Sequence, residues 1–146
     1  MTELTTDTAI EHVGRRSIAA TLPRGEWTHA AHFALALWVL RHAPELAAPD
    51  AFRAIILRLN KAHGTANTDS SGYHHTITLA SLHVARLALV GHGHAANEGL
   101  ADVLSALMGG PYGKSDWILA HWSKDRLFSV AARRDWVPPD LAPLPE

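Results

Sequence analysis

Phe33-Ala34-Leu35-Ala36-Leu37-Trp38-Val39-Leu40 is eight residues long and has no charged side chain. At 3.6 residues per turn such a run covers every face of a helix, so it predicts a helix with no solvent side. Other elements must pack around it. Thr28 is placed to cap its start, and Pro44 ends it after about residue 42.

The flanking segments read as that helix's partners. Pro49 and Asp50 open a second helix, which runs to about residue 63. Phe52, Ile55, Ile56 and Leu59 form its apolar stripe, with Arg53, Arg58 and Lys61 outside it. Gly64 follows in the position expected of a C-terminal glycine. A third, largely apolar helix is expected from Tyr73 to about Val90, with Ser71 or Asp69 as its cap. Gly91-His92-Gly93-His94 reads as a turn, and Asn97 as the cap of a fourth helix carrying Leu100, Val103, Leu104 and Leu107. Gly109-Gly110-Pro111 ends that helix. Ser115 would cap a fifth through about Trp122, and Ser129 a short piece from Val130 to Asp135.

Residues 1–14 show a weak apolar period and are expected as a short helical start or a mobile one; 15–26 reads as a loop containing Pro23 and Gly25. The proline-rich segment 136–146 cannot be helical and is expected as an extended strap. No period-two pattern persists, and there is no internal repeat or linker. The expectation is one all-α, compact, bundle-like domain spanning 1–146, with five to six helices and an extended C-terminal tail.

Composition narrows function mainly by exclusion. Apolar residues are 47% of the 146, enough for a core, while charged residues are 18%. That low charge is compatible with self-association into a homo-oligomer. A net charge of -1 gives no footprint for nucleic acid or an anionic membrane. Without cysteine there can be no disulfide, thiolate nucleophile or thiolate metal site. The N-terminus lacks the basic and apolar regions of a signal peptide, and the apolar runs are too short to span a bilayer. A soluble, cytoplasmic protein is expected. The outlier is histidine, with 11 residues spread along the chain.

Two histidine groups stand at helix starts. His29 and His32 are three apart and share a face, where the positive end of the helix dipole favours neutral imidazole. Neutral imidazole is the form that ligates metals and accepts protons. In the segment 67–76, His74 has Thr78 and Ser81 along its side, which favours it over His75 as the inward-facing residue. Asp69 can fold back over the same helix mouth. His29, His32, His74 and Asp69 would together form a nitrogen-and-oxygen set suited to Zn, Fe, Mn or Ni. Trp27, Tyr73 and His75 would then orient a small polar substrate. Two other readings stand beside a metal enzyme. One is a metal-free pocket that binds or senses a small ligand. The other is a structural or oligomerising helical protein, in which the helix-start Asp and Ser residues simply cap. His83 and His121 read as packed histidines, and His12, His42 and His63 as solvated ones. His92 and His94 could take adventitious metal.

The pieces Trp27-Thr28-His29-Ala30-Ala31-His32 and Asn67-Thr68-Asp69-Ser70-Ser71-Gly72-Tyr73-His74-His75-Thr76-Ile77-Thr78, with the ending Trp136-Val137-Pro138-Pro139-Asp140-Leu141, resemble an uncharacterised family of small bacterial all-helical proteins. The resemblance covers most of the chain from Trp27 onward. It implies a bacterial cytoplasmic protein and no particular activity. Such relatives read glycine-tyrosine-histidine-glutamate-threonine where this chain has His75 in place of the glutamate.

Overall fold

The computed structural model describes residues 3–91 and 99–146, and among these it is all-α with no strand. The expected Gly91–His94 turn, the Asn97 cap, and His92 and His94 lie partly or wholly outside the described residues.

Five helices are long: α1 (Asp7–Ile18), α2 (His29–His42), α3 (Pro49–Ala62), α4 (His75–Gly91) and α5 (Leu100–Gly109). Two are about one turn, α6 (Lys124–Leu127) and α7 (Val130–Arg134). Short 3₁₀ turns lie at Arg24–Glu26, Pro44–Ala47, Pro111–Gly113 and Trp117–Ala120. As its sequence requires, α2 is central. Ala31 and every residue from Phe33 to Val39 are buried, and α1, α4 and α5 pack around it.

The N-terminal segment is more ordered than its sequence pattern predicts. Thr6 caps α1 by accepting the Ala9 N–H at 3.1 Å, and the helix continues through Arg15, Arg16 and Ser17, read from sequence as loop. Ile10 and Val13 supply its apolar contact. Gly14 lies against the indole of Trp38, where a Cβ would come within 2.6 Å of the ring. One apolar residue per turn suffices here because the neighbouring position is a glycine that admits the indole.

Caps account for most of the remaining boundaries. Thr28 accepts the Ala31 N–H at 3.2 Å, as expected. Gly64 takes φ +75 beyond the end of α3 and allows the chain to reverse. The start of α5 is held from a distance, because the Asp7 carboxylate accepts the Ala101 N–H at 2.8 Å. The fifth helix expected from Ser115 does not form; a single 3₁₀ turn, Trp117–Ala120, stands in its place, and Asp116 precedes it without a side-chain cap. Ser129 caps α7 as expected, and Ser123 caps α6 in the same way.

The tail is the expected strap. Its peptide oxygens accept from Trp122 Nε1 (Val137, 3.0 Å), Arg126 Nε (Pro138, 2.7 Å) and His83 Nε2 (Pro145, 2.6 Å). Asp140 receives the Ser123 N–H at 2.8 Å and its hydroxyl at 2.7 Å. These side chains supply donors that prolines lack. Among the described residues no helix is long and apolar enough to cross a membrane.

Candidate functional site

The start of α4 differs from its expected form. The cap is neither Asp69 nor Ser71 but His74, whose Nδ1 accepts the Ile77 N–H at 3.1 Å. The accepting Nδ1 carries no proton, so Nε2–H donates to the Leu127 carbonyl at 2.6 Å. Burial pushes the His74 pKa down, opposed by the bond to Leu127. Both nitrogens are committed, so His74 ties α4 to α6 and has no lone pair free for a metal.

Asp69 is also committed elsewhere. It lies on the surface and forms a two-pronged pair with Arg134, 2.8 Å from Nε and 2.7 Å from the second nitrogen. The Arg134 hydrogen bonds hold its carboxyl below the usual range. The pair fastens the loop before α4 to α7. Within that loop, Asn67 Oδ1 accepts from Asn60 Nδ2 and from the Tyr73 N–H, each at 3.0 Å. Gly72 is needed here. Its φ is +79, and a Cβ would lie 2.4 Å from the Ala66 carbonyl oxygen.

The two histidines of α2 diverge. His29 Nε2 donates to the Tyr112 carbonyl at 2.7 Å, and its ring meets Phe33 edge-on. His32 Nδ1 donates to the Thr28 carbonyl at 2.6 Å, and its ring stacks on Trp27 with centroids 3.7 Å apart. Trp27 and His32 flank the Thr28 cap in the places of a hydrophobic staple, which explains the stack locally. Nε2 of His32, on the far edge of the ring, has no partner among the described residues. Desolvation by burial lowers the His32 pKa to about 4, opposed by the bond to Thr28, with His29 lowering it further. His32 is nonetheless an exposed residue at the protein surface. Solvent at an exposed residue hydrates the imidazolium, so the downward direction counts here rather than its size.

His29, His32, His74 and Asp69 therefore do not form the expected ligand set. Among the described residues no group of three or more His, Asp or Glu side chains is placed to hold a metal ion. The reason is local: helix capping, a backbone carbonyl and an arginine each take a group that the sequence offered for coordination.

Four of the residues singled out in the sequence nevertheless line one cavity. A cavity of about 340 Å³ lies between the start of α2, the second half of α3 and the start of α4. It brings together Trp27, His32, Tyr73 and His74, all singled out in the sequence. Ile56 and Asn60 of α3 add to the wall, as do Thr65, Gly72, Ile77 and Thr78. Asn60 and Thr65 were missed by sequence reading. The available signal was Asn60 one turn after Ile56, a polar group on a buried face.

His75 is absent from that lining. It is buried, and its Nδ1 lies 2.6 Å from the Tyr73 hydroxyl. Burial, then the nearby Arg53 charge, push its pKa down; burial raises that of Tyr73. The pair is thus neutral, with the Arg53 guanidinium 5.7 Å from the Tyr73 ring centre. His75 therefore meets the Tyr73 hydroxyl and does not line the cavity. Comparison of the chain with protein-family models, with curated proteins and with solved structures found no match.

Proposed function

We propose that the cavity between α2, α3 and α4 binds a small, uncharged polar molecule without a metal, in a protein of the cytoplasm. The observation that carries this reading is His32 on the cavity wall, with Nδ1 bonded to Thr28 and an Nε2 that has no partner among the described residues. Among the described residues no Lys, Arg, Asp or Glu lines the cavity, so a charged ligand would lose its hydration without a counter-ion. The Trp27 and Tyr73 rings, with Ile56 and Ile77, suit a flat apolar body, and Nε2 suits a single N–H or O–H donor on it. The volume, about 340 Å³, lies at the small end of ligand sites. The same lone pair could accept a proton from a bound substrate, so the site is compatible with general-base catalysis as well as with carriage or sensing.

Phenol and benzoate test the reading as flat aromatic probes of similar size, the first neutral and the second an anion. Phenol should quench Trp27 fluorescence saturably, and benzoate should not. His32→Phe keeps the stack and deletes the acceptor, and should weaken phenol roughly tenfold, the loss expected when a ligand donor goes unpaired. Equal binding of both probes, or no effect of His32→Phe, would contradict the assignment. So would stoichiometric Zn, Fe, Mn or Ni in tag-free protein that His74→Ala removes.

A further inference from the structure

A second and larger concavity lies between α4 and the tail. Its volume is about 550 Å³, and it shares no lining residue with the His32 cavity. Leu79 and Leu82 of α4 form the floor; Trp136, Leu144 and the tail prolines form the roof. The roof is fastened by hydrogen bonds along the tail. His83 Nε2 donates to the Pro145 carbonyl at 2.6 Å, and His121 Nδ1 lies 3.1 Å from the Ala142 and Pro143 carbonyls. Trp136, resting edge-on against Trp122, is still 41% exposed, a large apolar ring left partly uncovered.

One cation borders this apolar trough. Arg86 is exposed and makes no ion pair or hydrogen bond with any described residue. Glu146 borders it too, but no ion pair within 4 Å joins them. An apolar trough with a guanidinium at its rim that pairs with no described residue matches a molecule with an alkyl body and one carboxylate. We infer that the trough between α4 and the proline-rich strap is a binding site for free medium-chain monocarboxylates, with the alkyl chain on Leu79, Leu82 and Trp136 and the carboxylate at Arg86.

Octanoate, octanol and decanoate, each added to the full chain and followed by titration calorimetry, provide the test. Octanoate should bind one to one and about tenfold more tightly than octanol. Decanoate should exceed octanoate by up to about fourfold for each added CH₂ that is buried. Arg86→Gln should abolish the preference for octanoate and leave octanol unchanged, and Glu146→Gln should strengthen octanoate. Leu79→Trp fills the trough from the helix and Leu144→Trp from the strap; in whichever variant keeps the wild-type circular dichroism, binding of all three probes should be lost. His32→Phe, which disables the other cavity, should leave octanoate binding intact. Absence of octanoate binding, equal affinity for octanol and octanoate, or indifference to Arg86→Gln overturns the inference. A fall in octanoate binding with His32→Phe would place the carboxylate in the wrong cavity and overturn it equally.

Discussion

At the residue scale, histidines here serve mainly as hydrogen-bonding connectors. His12 meets Glu26 at 3.1 Å and His63 donates to the Leu22 carbonyl at 2.7 Å, although both read from sequence as solvated. A sequence shows that an imidazole stands at a helix mouth. It does not show which backbone carbonyl a distant loop will bring to it, and Leu127 and Tyr112 take His74 and His29 in that way. His74→Ala removes a cap and leaves the buried Leu127 carbonyl unpaired, so urea unfolding should show a loss of about 2–3 kcal/mol. His74→Asn, a good capping residue, should recover roughly 1 kcal/mol of it. The pH dependence follows from the same side chains. His32, His74 and His75 all have pKa values lowered from 6.5, so the unfolded chain takes up protons first as the solution is acidified. Their contribution is complete above pH 6.5 and is lost as the pH falls below it. Urea midpoints should therefore fall between pH 7 and pH 5. A flat profile there would mean that the rings are solvated.

At the element scale, the apolar runs and turn residues located α2, α3 and α4 to within about two residues, because burial on all sides and a terminal glycine leave clear marks. The marks fail where the constraint is remote. The N-terminus of α5 is held by Asp7 of α1, and α1 is anchored by a glycine's contact with Trp38. Gly14→Ala tests the second point. Helix propensity alone would make it stabilising by about 1 kcal/mol. The clash with the buried indole should reverse that and leave a net loss of about 1–2 kcal/mol in thermal or urea unfolding. Ala20 gives the opposite case. It follows α1 with φ 58, a conformation that glycine adopts freely, so Ala20→Gly should stabilise by about 1 kcal/mol in the same assays.

At the scale of the whole molecule, the loop before α4, the α6–α7 turns and the tail form one layer fastened to the end of the α2–α4 core. Thr76 joins two of its parts. The buried hydroxyl donates to the Asp135 carbonyl at 2.8 Å and accepts the Val137 N–H at 3.2 Å. Thr76→Val keeps the shape and removes both bonds, and should cost about 1–3 kcal/mol while speeding amide exchange in the tail. The all-helical architecture and the strap were legible because prolines and helix periodicity act locally. The cavity was half legible. Trp27, His32, Tyr73 and His74 stood out as polar or aromatic groups at helix mouths, but the α3 wall depends on how the helices cross. The central claim is that His32 presents a neutral, unprotonated Nε2 to that cavity. Imidazole ¹⁵N NMR of the wild-type protein at pH 7, with and without phenol, tests it most directly. The account predicts a His32 ring protonated on Nδ1 alone, with an Nε2 resonance that moves on adding phenol while those of His74 stay fixed. A His32 cation at pH 7, or a proton on Nε2, would contradict it.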